Sequence, residues 1–503
     1  MRAACLAVIG LSLAFLATGT ARADGTFDEL LVNLPDSSNA LILIDLKAIK
    51  QSPIGKKENY ARKHESEYLA GTTGISPHVQ KLALAAQFEP GTLKNSWEIG
   101  VASRNEKISM AKLAKSHGGA QDTVGDKNVV FTPRNAAFVE LGPTTMGYMR
   151  PANRQALARW LRTIKSNNKT AISPYLQAAA ARSKDSQIIL ALDLTDMLDE
   201  GGVLHRLQEC QTLKGAKADD LKAIAKTIAG TKGLTLAVQF DQVITGELTV
   251  EFSGSIDPIK QVAKRLLLEA IDEAGAHIED FEAWPEKSEG NKVTLRGKMS
   301  PKGLRQILSL ITPPADSVET QTGGDSTSTE DPKLLASQRY LMALSSYLVD
   351  LKGESDKQRS FEKMAIWYDK YAEKIDNLPV LDVDQDLLNY GSNTSTELRN
   401  IAQSARGAPI AQSALKNYET QITAAGAVPY GGYGPYGGYH AGWGYQYLDV
   451  NNYKQVRDQQ RLVKNGEYET RMNIWQDIAK ATSDIRRKMT EKYKVEFKVS
   501  SGI

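Results

Sequence analysis

The feature that most constrains this chain is that it repeats itself at a spacing of about 150 residues. "LILIDLKAI" (41–49) returns as "ILALDLTDM" (189–197), with Asp45 and Asp193 in matching places. "LALAAQF" (82–88) returns as "LTLAVQF" (234–240), and "WEIGV" (97–101) more weakly as "GELTV" (246–250). "GYMRPANRQALARWL" (147–161) is answered by "GKMSPKGLRQILSLI" (297–311), with Gly, Met and Pro in register. Four matches in one order at a nearly constant offset imply two copies of one unit, 36–165 and 184–312.

Each copy opens with an apolar strand that ends in an Asp before a helical segment, where Asp45 and Asp193 are expected to act as N-caps. Two strands around a turn follow, 81–88 with 96–103 and 233–240 with 245–253; alternation in "LTLAVQF" and "TGELTVEF" suits strands with one buried face. Helices are expected at 107–116 and 256–274. A closing helix enters through Pro151 or Pro301, where a fixed φ and a missing N–H are harmless. Strands outnumber helices and are joined by short turns, which predicts an α+β class with antiparallel sheets.

Residues 313–332, "PPADSVETQTGGDSTSTEDP", hold almost no apolar side chains and read as a disordered linker. Beyond it the period becomes helical. Leu334, Leu341, Leu344, Leu348 and Leu351 share one face. Further amphipathic segments run over 360–375, 395–405 and 409–425 within a helical region, 333–428. A long helix over 453–493, inside a coiled-coil segment 448–493, carries Val456, Met472, Trp475, Ile478, Ile485 and Met489. A helical bundle or antiparallel coiled coil is the expectation.

Between those helices lies "PYGGYGPYGGYHAGWGYQY" (429–447), with six tyrosines, one tryptophan and seven glycines. An ordinary helix–helix connection needs only a few residues, and flexible linkers omit apolar area of this kind. The stretch is read as a low-complexity loop with either no role or an adhesive one. Tyr430, Tyr433, Tyr436, Tyr439, Trp443, Tyr445 and Tyr447 are the candidate interaction residues. Gly432-Tyr-Gly434-Pro-Tyr-Gly437 spells a dinucleotide fingerprint, but Pro435 interrupts it and no helix follows. No Lys or Arg occurs between Lys416 and Lys454, so nucleic acid is not an expected partner.

Met1-Arg2, an apolar run from Ala3 to Ala17 and the small-x-small site Ala21-Arg22-Ala23 read as a secretory signal, 1–23. Without Arg2 and Arg22 the 62 basic side chains fall to 60 against 59 acidic ones, which gives no general field for nucleic acid or anionic membrane. No later segment is apolar enough for a transmembrane span. Of Cys5 and Cys210 only the second remains after cleavage, so the fold must rest on its core without a disulfide, and Cys210 reads as a buried, idle thiol.

Catalytic and metal motifs are not found. "DVDQDLLNYGSN" (382–393) begins like a calcium loop, but Leu387 stands where Gly is needed and Asn393 where Glu is needed, so it reads as a solvated acidic turn before a helix. His277 sits among Asp272, Glu273, Glu279, Asp280 and Glu282 in a polar, mobile-looking segment without metal-ligand spacing. No catalytic, cofactor-binding or metal residue is assigned.

The leader, "LPDSSNALILIDLKAIKQSPIGKK" (34–57) and "KIDNLPVLDVDQDLLNYG" (374–391) resemble uncharacterised secreted proteins of planctomycete-type bacteria over most of the mature chain. These strings mark the family rather than any chemistry. The resemblance implies export and a two-part architecture, and it lends no activity, cofactor or functional residue. The resulting expectation is a periplasmic or extracellular, non-catalytic cell-envelope protein, with an envelope polysaccharide or protein as partner. Two alternatives stand beside it: a small-molecule carrier or enzyme with its site between the repeats, and a structural oligomer self-associating through the C-terminal helices.

Overall fold

Alternating apolar and polar residues build one sheet from both halves of the chain. The computed structural model describes residues 27–69, 73–89, 94–133, 135–166, 170–310, 331–355, 362–405, 420–422, 428–433, 439–444, 447–449 and 467–500. The proposed leader, 311–330 and 450–466 lie outside the described residues.

The first seven strands are β1 (Ala40–Asp45), β2 (Val79–Glu89), β3 (Lys94–Arg104), β4 (Ala120–Val124), β5 (Lys127–Thr132), β6 (Ala136–Gly142) and β7 (Thr145–Arg150). Five follow: β8 (Ile188–Asp193), β9 (Thr231–Phe240), β10 (Ile244–Phe252), β11 (Glu286–Glu289) and β12 (Lys292–Lys298). They form one twelve-stranded sheet in the order β11-β12-β10-β9-β8-β1-β2-β3-β7-β6-β5-β4. Every pairing in it is antiparallel.

The two halves join where β1 pairs with β8, with Ile42 opposite Leu190. A single row of residues crosses the sheet on one face through this pair. On one side it runs Ile42, Leu84, Gly100, Tyr148, Phe138, Val130. On the other it runs Leu190, Leu236, Leu248, Leu295. Polar residues close it at both edge strands, Gln121 on β4 and Glu286 on β11. Charged edge strands such as "EKSE" discourage pairing with another chain.

The register also shows which sequence matches hold in space. Leu84 of "LALAAQF" and Leu236 of "LTLAVQF" occupy corresponding places in the row. Gly100 corresponds to Leu248, one residue away from the phase in which "WEIGV" matches "GELTV". Tyr148 corresponds to Leu295, three residues away from the match of "GYM" with "GKM". The inner strands therefore follow the sequence match and the outer ones slide past it.

Helices cover both faces. α1 (Asp28–Leu31), the later α6 (Arg154–Ser166) and α7 (Pro174–Ala181) bury Leu31, Leu157, Trp160 and Leu176 against Leu43, Val101, Val139 and Ile189. On the opposite face lie α2 (Leu46–Gln51), α3 (Pro53–Lys57), α4 (Tyr60–Leu69), α5 (Met110–Ser116) and α12 (Pro301–Ser309). α8 (Glu200–Glu209), α9 (Ala218–Ala229) and α10 (Ala263–Glu273) make a smaller core with Val250, Phe252 and Val293, and α11 (Asp280–Ala283) delivers Trp284 to the main one. α6 and α12, which match in sequence, thus lie on opposite faces. Their entries differ as well. Pro301 is the first residue of α12 behind a Ser300 cap, whereas Pro151 follows a cis peptide bond and α6 starts three residues on, with Asn153 Oδ1 accepting from the Ala156 N–H at 2.9 Å.

The C-terminal helices are α13 (Pro332–Ser355), α14 (Ala365–Asp376), α15 (Gln385–Ala405) and α16 (Glu467–Tyr493). They add Leu341, Leu348, Trp367, Tyr368, Leu398, Trp475 and Met489 to the core shared with the sheet. α15 starts ten residues before the expected 395, absorbing most of the acidic segment. Of the segment expected to be helical over 409–425, Thr420–Ile422 is a strand, and 406–419 lies outside the described residues. No described helix is long and apolar enough to cross a membrane.

Candidate functional site

The aromatic stretch is a β-ribbon along its described residues. β13 (Thr420–Ile422) pairs with β16 (Tyr447–Asp449), and β14 (Val428–Tyr433) with β15 (Tyr439–Gly444), so one hairpin nests inside the other. Tyrosine and tryptophan favour extended backbone. Pro429, opposite Trp443, is tolerated because a two-stranded ribbon leaves each strand an open edge. Tyr430 and Tyr433 lie on β14, Tyr439 and Trp443 on β15 and Tyr447 on β16, with Tyr433 opposite Tyr439. Tyr436 and Tyr445 lie outside the described residues. The expected loop is thus partly strand.

Asp45 caps α2, its Oδ1 accepting from the Ala48 N–H at 2.7 Å. Asp193 does not cap a helix. It accepts from the Thr195 N–H at 3.0 Å and from the Ser173 hydroxyl, while Asp199 caps α8. Between these two aspartates, where a crevice was one expectation, the two halves of the sheet meet in the β1–β8 ladder with apolar residues on both faces.

Other candidates resolve into structural roles. Cys210 is buried and its thiol donates to Glu269 Oε2 at 3.1 Å; burial and that carboxylate push the thiol up, away from thiolate reactivity. His277 Nδ1 lies 2.7 Å from Asp272 Oδ1, and Lys363 Nζ sits 2.6 Å from the other oxygen. The surrounding segment is packed rather than loose, with Ile278, Phe281 and Trp284 in the core. Asp384 is no solvated turn residue: its side chain is 0% exposed and accepts from Lys492 Nζ at 2.8 Å and Tyr493 Oη at 2.8 Å.

A cleft of about 230 Å³ opens on the sheet face that α12 leaves uncovered. The row Leu43, Ile189, Ala237, Glu247, Arg296 turns from apolar to charged there. Glu247 is bridged by Arg182 and, at 3.7 Å, by Arg296, and Asp185 in the same lining brings the cleft to two carboxylates against two guanidinium groups.

The densest chemistry gathers where α14 crosses the sheet. Tyr148 donates to Glu98, which burial pushes above the usual carboxylate range against the opposing effect of that bond and of Arg150. Arg150 Nη1 lies 3.5 Å from Glu373 Oε1. One helical step on, Lys374 stands 5.4 Å from the ring centroids of both Tyr347 and Tyr371. Sequence reading missed this cluster because its members come from strands β3 and β7 and from helices α13 and α14, far apart in the chain. "WYDKYAEKI" gave only an amphipathic helix.

No family model and no curated protein matches the chain. Among solved structures, crystal forms I and III of TP0453 align at TM-scores of 0.34 and 0.33, each with 11% identity over 56% of this chain and 98% of that chain. Form IV aligns at 0.32 with 9% identity, covering 57% and 97%. The class defined by the fold itself is mixed α and β, an antiparallel sheet followed by C-terminal helices.

Proposed function

We propose that this is an exported, non-catalytic cell-envelope protein that binds an envelope polysaccharide or protein through its Gly/Tyr segment. The observation that carries the reading is the nested ribbon: its strands pair with one another and join neither edge of the twelve-stranded sheet. An aromatic appendage with no lysine or arginine suits stacking on sugar rings or protein apolar surface better than phosphate binding. Tyr430, Tyr433, Tyr436, Tyr439, Trp443, Tyr445 and Tyr447 supply that contact.

The sheet is read as a duplication, two tandem copies meeting at a pseudo-dyad between Ile42 and Leu190, with the C-terminal helices as a bundle laid on one face. Coiled-coil self-association is the weaker reading, because Trp475, Ile478, Ile485 and Met489 spend the apolar stripe of α16 inside the chain. Fractionation of the native cells tests the proposal. The wild-type chain is expected in the envelope pellet and a chain lacking 429–447 in the soluble fraction. Equal solubility of the two overturns it.

A further inference from the structure

Counted outward from the β1–β8 ladder, the polar cleft stands where the two halves of the sheet differ in kind. On one side the row runs Leu43, Ala83, Val101, Gly147, Val139 and is apolar throughout. Trp160 of α6 lies against Gly147, so closely that a β-carbon there would stand 2.6 Å from the indole Cη2. On the other side the row runs Ile189, Ala237, Glu247, Arg296. Glu247 thus takes the place of Val101, and Arg296 that of Gly147. With α12 packed on the opposite face, this pair stays open to solvent, at 29% and 64% exposure.

The cleft lies between β9, β10, β12 and the turn Arg182–Lys184 that follows α7. One ion pair in it is spent. Arg182 lays one nitrogen on Glu247 and holds the other 3.4 Å from the Thr249 hydroxyl. The second acid and the second base are not spent. Arg296 reaches Glu247 only at 3.7 Å, too far for a hydrogen bond. Among the described residues the Asp185 carboxylate has neither an ion pair nor a hydrogen bond. The side chains of Ser186, Gln239 and Thr245 complete the polar lining and likewise bond to no described group. Ala237, 3% exposed, is the apolar side chain of the lining.

We propose that this cleft binds a free α-amino acid as its zwitterion, one with a small polar side chain. Its carboxylate takes the planar fork of Arg296, which matches two oxygens at once, and its ammonium donates to Asp185. The amino acid's own side chain meets the hydroxyls of Ser186 and Thr245 and the amide of Gln239. A simple anion would satisfy Arg296 and leave Asp185 facing it, and a simple cation would do the reverse. A zwitterion leaves the balance of two carboxylates and two guanidinium groups as it stands. The volume of about 230 Å³ falls below the roughly 300–1,000 Å³ of pockets for larger ligands. A bulky apolar side chain would find only Ala237 to pack on. Binding of this kind needs no turnover and uses no residue of the Gly/Tyr ribbon.

Titration of the full chain with L-glutamine and L-serine at pH 7 in low salt tests the proposal, read by calorimetry and by ligand-observed NMR. Each amino acid is expected to bind with a Kd of about 1 mM, in keeping with an open, partly solvated site. L-Leucine, acetate and ethylammonium each lack one part of the match and should bind about fivefold more weakly or less. Asp185→Asn and Arg296→Gln alter exposed residues that hold no part of the core. Each should weaken glutamine about threefold to fivefold while Tm stays unchanged. Absence of binding at about ten times that Kd, acetate binding as well as glutamine, or an unchanged affinity in either variant overturns the proposal.

Discussion

Trp284 occupies the space that a side chain at Gly297 would need: a β-carbon added there would stand 2.3 Å from the indole Cδ1. Gly246, opposite Gly297 on β10, meets the same ring, with its added β-carbon 2.3 Å from Cη2. The indole is 1% exposed and its Nε1 donates to the Lys298 carbonyl at 2.8 Å, so it has nowhere to retreat. Gly297→Ala should therefore lower unfolding stability by roughly 1–3 kcal/mol through overpacking. Gly254→Ala, with open space around it, should change it by less than about 0.5 kcal/mol. Urea denaturation of both variants reads the contrast.

Asp384 ties α16 to the start of α15. Burial works against its charge, but hydrogen bonds from Lys492, Tyr493 and the Asp386 N–H outweigh it and hold the carboxyl below its ordinary 3.8. Such a depressed group contributes stability that is present above the unfolded value and lost as pH falls through the folded one. Asp384→Asn leaves Lys492 short of a partner, and because that lysine is 46% exposed the cost should be about 2 kcal/mol, not the full penalty of a buried pair. Limited proteolysis should cut the variant within α16 sooner at pH 7. Once pH has fallen through the depressed range of the folded carboxyl, the two chains should behave alike.

Asp45→Ala should cost about 1 kcal/mol, the usual loss for a helix N-cap. Asp193→Ala should act differently, by freeing the Ser173 hydroxyl that it accepts from. Thermal unfolding of the two variants, with Ser173→Ala as a third, shows whether the Asp193 and Ser173 effects fail to add while Asp45 adds independently.

That divergence between matched aspartates shows what the sequence could convey. Strands were legible wherever one face is buried, as in "ITGELTVEF", whose residues alternate between buried and half-buried along β10. The β2–β3 and β9–β10 pairs were legible because a short turn separates two strand-like runs, whereas the β1–β8 pairing that joins the halves was not, since nothing in either apolar run marks its distant partner. The face chosen by α6 or α12 was not legible, since it depends on how the chain leaves β7 or β12 and both segments are equally amphipathic. The start of α15 was hidden because Asp382, Asp384 and Asp386 look like a solvated turn until Lys492, more than a hundred residues away, is seen beside them. Lys374 was invisible for the same reason: its aromatic corner is made by packing.

Glu397 gives the last expectation, and its sign runs opposite to that of Asp384. It lies half-buried on α15, where burial first, and then Asp477 of α16, lift it from 4.5 to about 7, against a weak hydrogen bond from Asn400. An acid raised in the folded state binds its proton more tightly there than in the unfolded chain. Stability is then fullest below about pH 4.5 and declines as pH rises toward 7. Above that, an ionised Glu397 faces Asp477 across the seam of α15 and α16. Glu397→Gln removes the titration and keeps the shape, so it should stabilise the chain by about 1–3 kcal/mol at pH 8 and by close to nothing at pH 4, the smaller figure applying as solvent reaches the carboxyl. Denaturation at the two pH values separates this from simple packing: a gain equal at both would mean that the charge of Glu397 plays no part.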